Sequence, residues 1–196
     1  NPPMRDFYET YLPQFETAVR VGHVGGVMGA YNSVFGVPAC ASKLLLTDIL
    51  RQQWGFDGYI VSDCGAIHNI WAEHHFVATP EAAAADAVKA GCDICCGGDY
   101  TALLKAVQKG LITEKEIDVA LAYALKTRFR LGLFDPKDQV PWSNIGIDQN
   151  DTPEHQALAL KVAEKSIVLL KNNGLLPLNR AQIKRIAVIG ENADSV

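Results

Sequence analysis

Short apolar segments that alternate with helical ones are the feature of this sequence that most limits its fold. Residues 24–31, 59–61 and 92–96 are short and apolar, and they predict buried strands. Segments with apolar residues at three- and four-residue spacing separate them and predict helices. This order is typical of parallel strands joined by crossover helices, and both a doubly wound sheet and a (β/α) barrel fit it. The sequence therefore predicts an α/β fold.

Several helix starts are marked by capping signals. Thr79 precedes Pro80, Thr152 precedes Pro153, and Thr113 lies three residues before Glu116 in the pattern of a capping box. Each signal places a side-chain oxygen where it accepts a hydrogen bond from the first turn of a helix. With the apolar spacing, these signals predict helices over about residues 6–21, 42–54, 79–91, 100–109, 113–131 and 152–171.

Composition and charge exclude several classes of protein. The 196 residues are 48% hydrophobic, which argues against a disordered chain, and no apolar run approaches the ~18 residues of a membrane-spanning helix. The formal net charge is −4, and no cluster of Lys and Arg stands out. We therefore expect neither nucleic acid nor a membrane as a partner.

Asp63 is the most informative single residue. It follows the predicted strand 59–61 closely, and small residues come after it up to Ala66. Side chains at the carboxyl ends of parallel strands build the sites of such folds, so a carboxylate here can reach a substrate atom. The alternative is that Asp63 caps the helix that begins near Ala66. The pattern alone leaves both interpretations open.

The segment around Asp63 resembles the nucleophile segment of glycoside hydrolase family 3. The similar residues are WGFDG at 54–58 and YIVSDCGA at 59–66. Further segments resemble the family in the same order: ETYLP at 9–13, VMGAYN at 27–32, LLLTDILR at 44–51, RFRLGLFD at 128–135, and SIVLLKN to LPL at 166–178. The likeness covers nearly the whole chain.

This resemblance implies a domain organisation. Residues 1–133 would be the C-terminal part of a (β/α) barrel, and residues 134–183 a linker with a connecting helix. Residues 184–196 would begin a following α/β sandwich domain, with a buried strand at 186–190. The expectation is therefore an internal part of a longer protein. The alternative of a dinucleotide site after this strand is weakly supported, because Gly190 supplies one of the three glycines required.

The resemblance also implies a chemistry and a set of site residues. Asp63 falls at the nucleophile position of a retaining β-glycosidase, and the family's acid/base Glu lies downstream and matches no residue here. These residues alone would therefore not hydrolyse glycosides at a useful rate. Tyr31 would hydrogen-bond the nucleophile carboxylate. The remaining candidate substrate-binding residues are Met28, Cys64, Cys96 and Trp71. No cofactor and no metal is implied.

Cys64 bears on the substrate class. Many β-glucosidases of the family have Trp directly after the nucleophile, whereas Cys64, Cys96 and Tyr100 resemble the β-xylosidase and arabinofuranosidase branch. The expected substrate is a β-xyloside, taken from the non-reducing end of hemicellulose-derived oligosaccharides. The alternatives are a β-glucoside, or carbohydrate binding without catalysis. A secreted or periplasmic location fits the family, but the sequence encodes neither a compartment nor an oligomeric state.

The five cysteines allow more than one arrangement. A zinc site built from Cys92, Cys95 and Cys96 together with Cys64 and His68 is disfavoured, because neighbouring residues of a strand point to opposite faces. A disulfide between Cys64 and Cys96 is a hypothesis, since both are expected at strand ends on the same rim. It requires Cα atoms within roughly 7 Å and an oxidising compartment. Buried free thiols are the alternative.

Overall fold

A computed structural model describes residues 1–194 of the chain. These residues form two compact units, Asn1–Pro141 and Trp142–Val196, of which the last two residues lie outside the described part. Within residues 1–194, no helix combines the length and the apolar character needed to cross a bilayer.

Parallel strand pairing organises the first unit, which is a mixed α/β structure. Strand β1 (Gly26–Gly29) pairs in parallel with strand β4 (Tyr59–Ser62), so that Gly29 lies opposite Ser62. On the other side of β4, Val61 forms a parallel bridge with Ile94. A small antiparallel hairpin, β2 (Ser33–Val34) and β3 (Val37–Pro38), follows β1. The parallel order predicted from the sequence is confirmed, although the segment 92–96 is reduced to a single bridge.

The helices largely follow the predicted positions. Thr79 accepts from the Ala82 N–H at 3.2 Å, and Thr113 and Glu116 form a reciprocal capping box. The helices of the first unit are α1 (Met4–Asp6), α2 (Pro13–Arg20), α3 (Ala66–Ala72), α4 (Pro80–Ala90), α5 (Leu103–Gln108) and α6 (Glu114–Arg130), with π-helical segments at Phe7–Tyr11 and Leu44–Gln53. The second unit contains α7 (Pro153–Ser166).

Other predicted elements also differ in the structure. The single helix expected over residues 6–21 is divided, because Pro13 begins a new helix at its first position. The last helix ends at Ser166 rather than near residue 171. The strand predicted at 186–190 is wrong for the described structure, since no strand pairs with it there and its apolar side chains, such as Ile189, are exposed. A strand needs a neighbour to satisfy its backbone groups.

The core of the first unit lies where α3 and α4 pack together. Ile60 of β4 and Ile67 and Ile70 of α3 are fully buried. The buried alanines of α4, such as Ala83 and Ala87, have short side chains, and this allows close packing. This packing fixes the position of β4, and therefore of the residues that follow it.

A buried ion pair lies beside the amino-terminal half of β4. Arg51 contacts Asp93 with an Nη2–Oδ2 distance of 2.6 Å, and Asp93 also accepts from the Ile60 N–H at 2.7 Å. The Arg51 guanidinium stacks on the Tyr123 ring of α6 at 3.6 Å from the ring centre and donates to the Gly58 carbonyl. Burial raises the pKa of Asp93 to about 6 despite the attraction of Arg51. The pair thus joins β4 to α6.

Gly29 offers a direct test of the packing at the other end of the strands. A Cβ at this position would lie 2.7 Å from the Cys40 sulfur, which is buried and has little room to move. We expect Gly29→Ala to lower the free energy of unfolding by about 1–3 kcal/mol. Gly25→Ala is the matched control, because nothing lies within 4 Å of a Cβ there. Equal melting temperatures for the two variants in calorimetry would contradict this packing.

Candidate active site

Asp63 lies at the point where both parallel strands end. Its N–H donates to the Gly29 carbonyl at 2.8 Å, so the chain leaves the sheet directly after this residue. The side chain is half-buried, and its Oδ1 accepts from the Cys64 N–H at 2.7 Å. This position is at the carboxyl end of the sheet, where functional groups of such folds are presented.

The helix-capping interpretation of Asp63 is wrong. The residue before α3 is Gly65, which has a left-handed backbone with φ 86°, and no side chain caps the helix. Asp63 instead accepts from the neighbouring Cys64 N–H, outside the helix. Because the carboxylate is not used as a helix cap, it remains available for another role.

Tyr31 contacts the residue that follows Asp63, and its hydrogen bond differs from the expectation. Its hydroxyl donates to the Cys64 carbonyl rather than to the Asp63 carboxylate. Gly65 has no side chain, and a Cβ there would lie 3.3 Å from the hydroxyl oxygen, so the glycine leaves room for the ring. The His74 Nε2 lies 2.7 Å from the Tyr31 carbonyl oxygen and joins Tyr31 to the segment after α3.

A disulfide joins Cys64 and Cys96, as the sequence hypothesis proposed. The two Cα atoms are 4.4 Å apart. Hydrogen bonds hold the same two segments together: the Gly65 N–H donates to the Cys96 carbonyl, and the Cys96 N–H donates to the Ser62 hydroxyl, both at 3.0 Å. The residue after Asp63 is therefore fixed both covalently and by hydrogen bonds.

Met28 and Trp71 lie outside the group of contacts described above. Met28 lies on β1, and its side chain is exposed and lines an apolar cavity of about 490 Å³ together with Phe15 and Val27. Trp71 lies at the end of α3, where its ring meets His68 edge-on at 5.0 Å and lines a cavity of about 410 Å³ with His75. The contacts that join Asp63, Tyr31, Cys64 and Cys96 do not include either residue.

Sequence reasoning missed several polar groups around the site. Asp99 lies 3.5 Å from the His68 Nδ1 and 3.9 Å from the Cys95 sulfur, and His74 holds Tyr31. Nothing in the spacing of these residues signals the contacts of His68 with Asp99 and of His74 with Tyr31, because both contacts join segments that are far apart in the sequence. In the described part of the chain, no group of three or more His, Cys, Asp or Glu side chains is arranged to hold a metal ion.

A half-buried carboxylate at the carboxyl ends of parallel strands is the arrangement of an α/β enzyme that binds its substrate at this edge. Residues 1–126 match the model of the glycosyl hydrolase family 3 N-terminal domain. The chain belongs to glycoside hydrolase family 3.

Individual relatives agree with this assignment. The chain is 44% identical to probable beta-D-xylosidase 7 of Arabidopsis thaliana, over 98% of this chain and 26% of that protein. It is 40% identical to the probable exo-1,4-beta-xylosidase bxlB of Aspergillus flavus, over 97% of this chain and 25% of that protein. The chain thus spans about a quarter of the length of the curated relatives it matches.

Two solved structures are also similar to this chain. The GH3 exo-beta-xylosidase XlnD, in complex with a xylobiose aziridine activity-based probe, matches 91% of this chain and 24% of that chain with a TM-score of 0.81 and 35% identity. The beta-glucosidase from Listeria innocua, in complex with glucose, also matches 91% of this chain and 24% of that chain, with a TM-score of 0.76 and 32% identity.

Proposed function

We propose that this chain supplies the catalytic nucleophile of a retaining β-xylosidase, and that Asp63 is that nucleophile. The observation that carries the proposal is the placement of this carboxylate, which follows β4 at the ends of both parallel strands and is not used as a helix cap. The carbohydrate partner is a β-linked xyloside oligosaccharide, cleaved from its non-reducing end.

The proposed reaction proceeds in two steps. The Asp63 carboxylate attacks the anomeric carbon, the bond from that carbon to the glycosidic oxygen breaks, and a carboxylic acid protonates the leaving oxygen. Water then attacks the same carbon while the second carboxyl group, ionised in the first step, takes a proton from that water, and the bond to Asp63 breaks to release the sugar and the Asp63 carboxylate. Two carboxyl groups about 5 Å apart are required for this route. The acid/base partner is not assigned to any residue of this chain.

The surroundings of Asp63 suit a nucleophile that must be held in one orientation. The Cys64 N–H donates to Oδ1, and Cys64 is itself held by the Tyr31 hydroxyl and by the disulfide. A carboxylate that is oriented before the substrate arrives loses little on reaching the transition state, and its charge stabilises the oxocarbenium-like carbon. We assign Tyr31 a positioning role.

A xyloside is favoured over a glucoside by the disulfide next to the nucleophile. Cys64 is exposed and is bonded to Cys96, so a rigid pair of sulfur atoms lies beside Asp63. Xylose lacks the hydroxymethyl group at C5 that glucose carries, and a rigid wall discriminates against the larger sugar. We also propose that Met28 and Trp71 line more distant parts of the substrate pocket.

The domain assignment is part of the same proposal. Residues 1–133 would belong to a (β/α) barrel, residues 134–183 to a linker with its helix, and residues 184–196 to the start of an α/β sandwich domain. The parallel arrangement of β1, β4 and Ile94, with α4 between β4 and Ile94, supports the barrel. Residues 195–196 lie outside the described residues.

The substrate proposal is tested with the full-length protein and three aryl glycosides. We expect kcat/KM for the β-xyloside to exceed that for the β-glucoside by about 10-fold or more, because one small ring substituent changes transition-state binding by that order. An α-arabinofuranoside completes the series. A β-glucoside preferred over the β-xyloside would favour the β-glucosidase alternative, which the likeness to the Listeria innocua enzyme supports.

The role of the disulfide is tested by the double variant Cys64→Ala/Cys96→Ala. Removal of the two sulfur atoms should lower the ratio of xyloside to glucoside kcat/KM by about 10-fold. Cys95→Ala is the matched control, because Cys95 is a free cysteine next to Cys96 and is not part of the disulfide. An unchanged ratio in the folded double variant would show that the specificity has another origin.

A further inference from the structure

A half-buried histidine in the segment after α3 contacts the segment that follows β1. The Nε2 atom of His74 lies 2.7 Å from the Tyr31 carbonyl oxygen. A carbonyl oxygen carries no hydrogen, so the ring nitrogen is the donor of this bond. Both the neutral ring with its hydrogen on Nε2 and the protonated ring meet this requirement. The bond joins two segments that are 43 residues apart in the sequence.

This contact is the first of three hydrogen bonds that lead to Asp63. The His74 ring donates to the Tyr31 carbonyl, and the Tyr31 hydroxyl donates to the Cys64 carbonyl. The Cys64 N–H in turn donates to Oδ1 of Asp63 at 2.7 Å. The histidine is therefore connected to the carboxylate through two residues and three hydrogen bonds.

The backbone of the segment that carries His74 is itself held in place. The His74 N–H donates to the Asn69 carbonyl at 2.8 Å, and the Phe76 N–H donates to the Ile70 carbonyl at 2.9 Å. Ile70 is fully buried in the core of the first unit. Because the segment is tied to a buried helix, the His74 ring approaches Tyr31 from a fixed position.

We propose that His74 is a positioning residue for the nucleophile: it holds Tyr31, and through Tyr31 and Cys64 it keeps the Asp63 carboxylate in one orientation. The inference rests on the function proposed above. A carboxylate that is already oriented loses less freedom on reaching the transition state. The role requires a hydrogen-bond donor at the place of Nε2, and it requires neither a charge nor a proton transfer.

Three substitutions of His74 in the full-length protein test whether the donor is what matters. His74→Phe keeps a ring but removes the donor, and we expect kcat for an aryl β-xyloside to fall about 10-fold with KM changed by less than about 2-fold. His74→Gln places an amide N–H near the position of Nε2 and should restore kcat to within about 3-fold of the wild type. His74→Asn carries the same amide on a shorter side chain and should be as slow as His74→Phe.

A double-mutant cycle tests whether the effect passes through Tyr31. Tyr31→Phe removes the hydroxyl that holds Cys64, so the connection from His74 to the carboxylate is already broken. Adding His74→Phe to Tyr31→Phe should lower kcat by less than about 3-fold more. Losses that multiply in the double variant would overturn the proposal. His155→Phe is the matched control, because it makes the same ring change on an exposed residue of α7, and we expect wild-type rates.

The rate of inactivation by a 2-fluoro-β-xyloside separates this inference from the proposed function. Labelling of Asp63 at equal rates in the wild type and in His74→Phe would overturn the role of His74 and leave Asp63 as the nucleophile. Labelling of a different carboxylate would overturn both. If His74→Phe fails to fold, His74→Gln and His74→Asn give the answer, since equal rates for these two variants would overturn the proposal and a faster His74→Gln supports it.

Discussion

Asp63→Asn in the full-length protein is expected to lower kcat/KM for an aryl β-xyloside by about 10⁴-fold or more, because the amide retains the shape of the carboxylate but not its charge or nucleophilicity. The amide still accepts from the Cys64 N–H, so the loop is preserved. Steady-state rates, with an unchanged melting temperature, measure this effect.

Asp57→Asn is the matched control for this substitution. Asp57 precedes β4 at its opposite end, is mostly exposed, and pairs with Arg130 and Lys126 at 2.8 Å each. These two cations hold its pKa below the ordinary range, so it too is ionised at neutral pH. We expect nearly wild-type rates for this variant. If Asp63→Asn retained a tenth of the wild-type rate, Asp63 would not be the nucleophile.

Asp93→Ala is expected to destabilise the first unit strongly, by about 3–5 kcal/mol. It leaves the charge of Arg51 unpaired in a largely buried position and removes the acceptor of the Ile60 N–H. The double variant Arg51→Met/Asp93→Leu should cost much less, because it removes both charges together. Equal unfolding temperatures for the single and double variants would contradict this reasoning.

The carboxyl group of Asp93 also predicts that the free energy of unfolding depends on pH. Burial raises the pKa of Asp93 from the ordinary 3.8 to about 6, so the folded protein binds this proton more tightly than the unfolded chain does. The contribution of Asp93 to the free energy of unfolding is therefore largest below pH 4 and falls as the pH rises to 6. The destabilisation caused by Asp93→Ala should accordingly be smaller at pH 7 than at pH 4.5, as measured by thermal unfolding at both values.

Much of the framework follows from local sequence signals. Thr79 and Thr113 cap their helices as predicted, because a cap depends on residues within one turn. The parallel strands and the position of Asp63 follow from the alternation of helical and apolar segments. The Cys64–Cys96 disulfide follows from placing both residues at the same edge of a sheet.

Other features depend on contacts that local patterns do not contain. The Tyr31 hydroxyl reaches the Cys64 carbonyl because Gly65 leaves room for it, and no spacing rule distinguishes that carbonyl from the nearby carboxylate. The contact of His74 with Tyr31 likewise joins residues that are far apart in the sequence. The apolar run at 186–190 resembles a strand, but a strand also requires a partner.

Trapping of the covalent intermediate addresses the proposed nucleophile most directly. The full-length protein is incubated with a 2-fluoro-β-xyloside that carries an activated leaving group, digested, and mapped by mass spectrometry. We expect one fluoroxylosyl group on the peptide that contains Asp63, and no labelling of Asp63→Asn. A fluoroxylosyl group on a different carboxylate, together with an active Asp63→Asn enzyme, would show that Asp63 does not form the bond to the sugar.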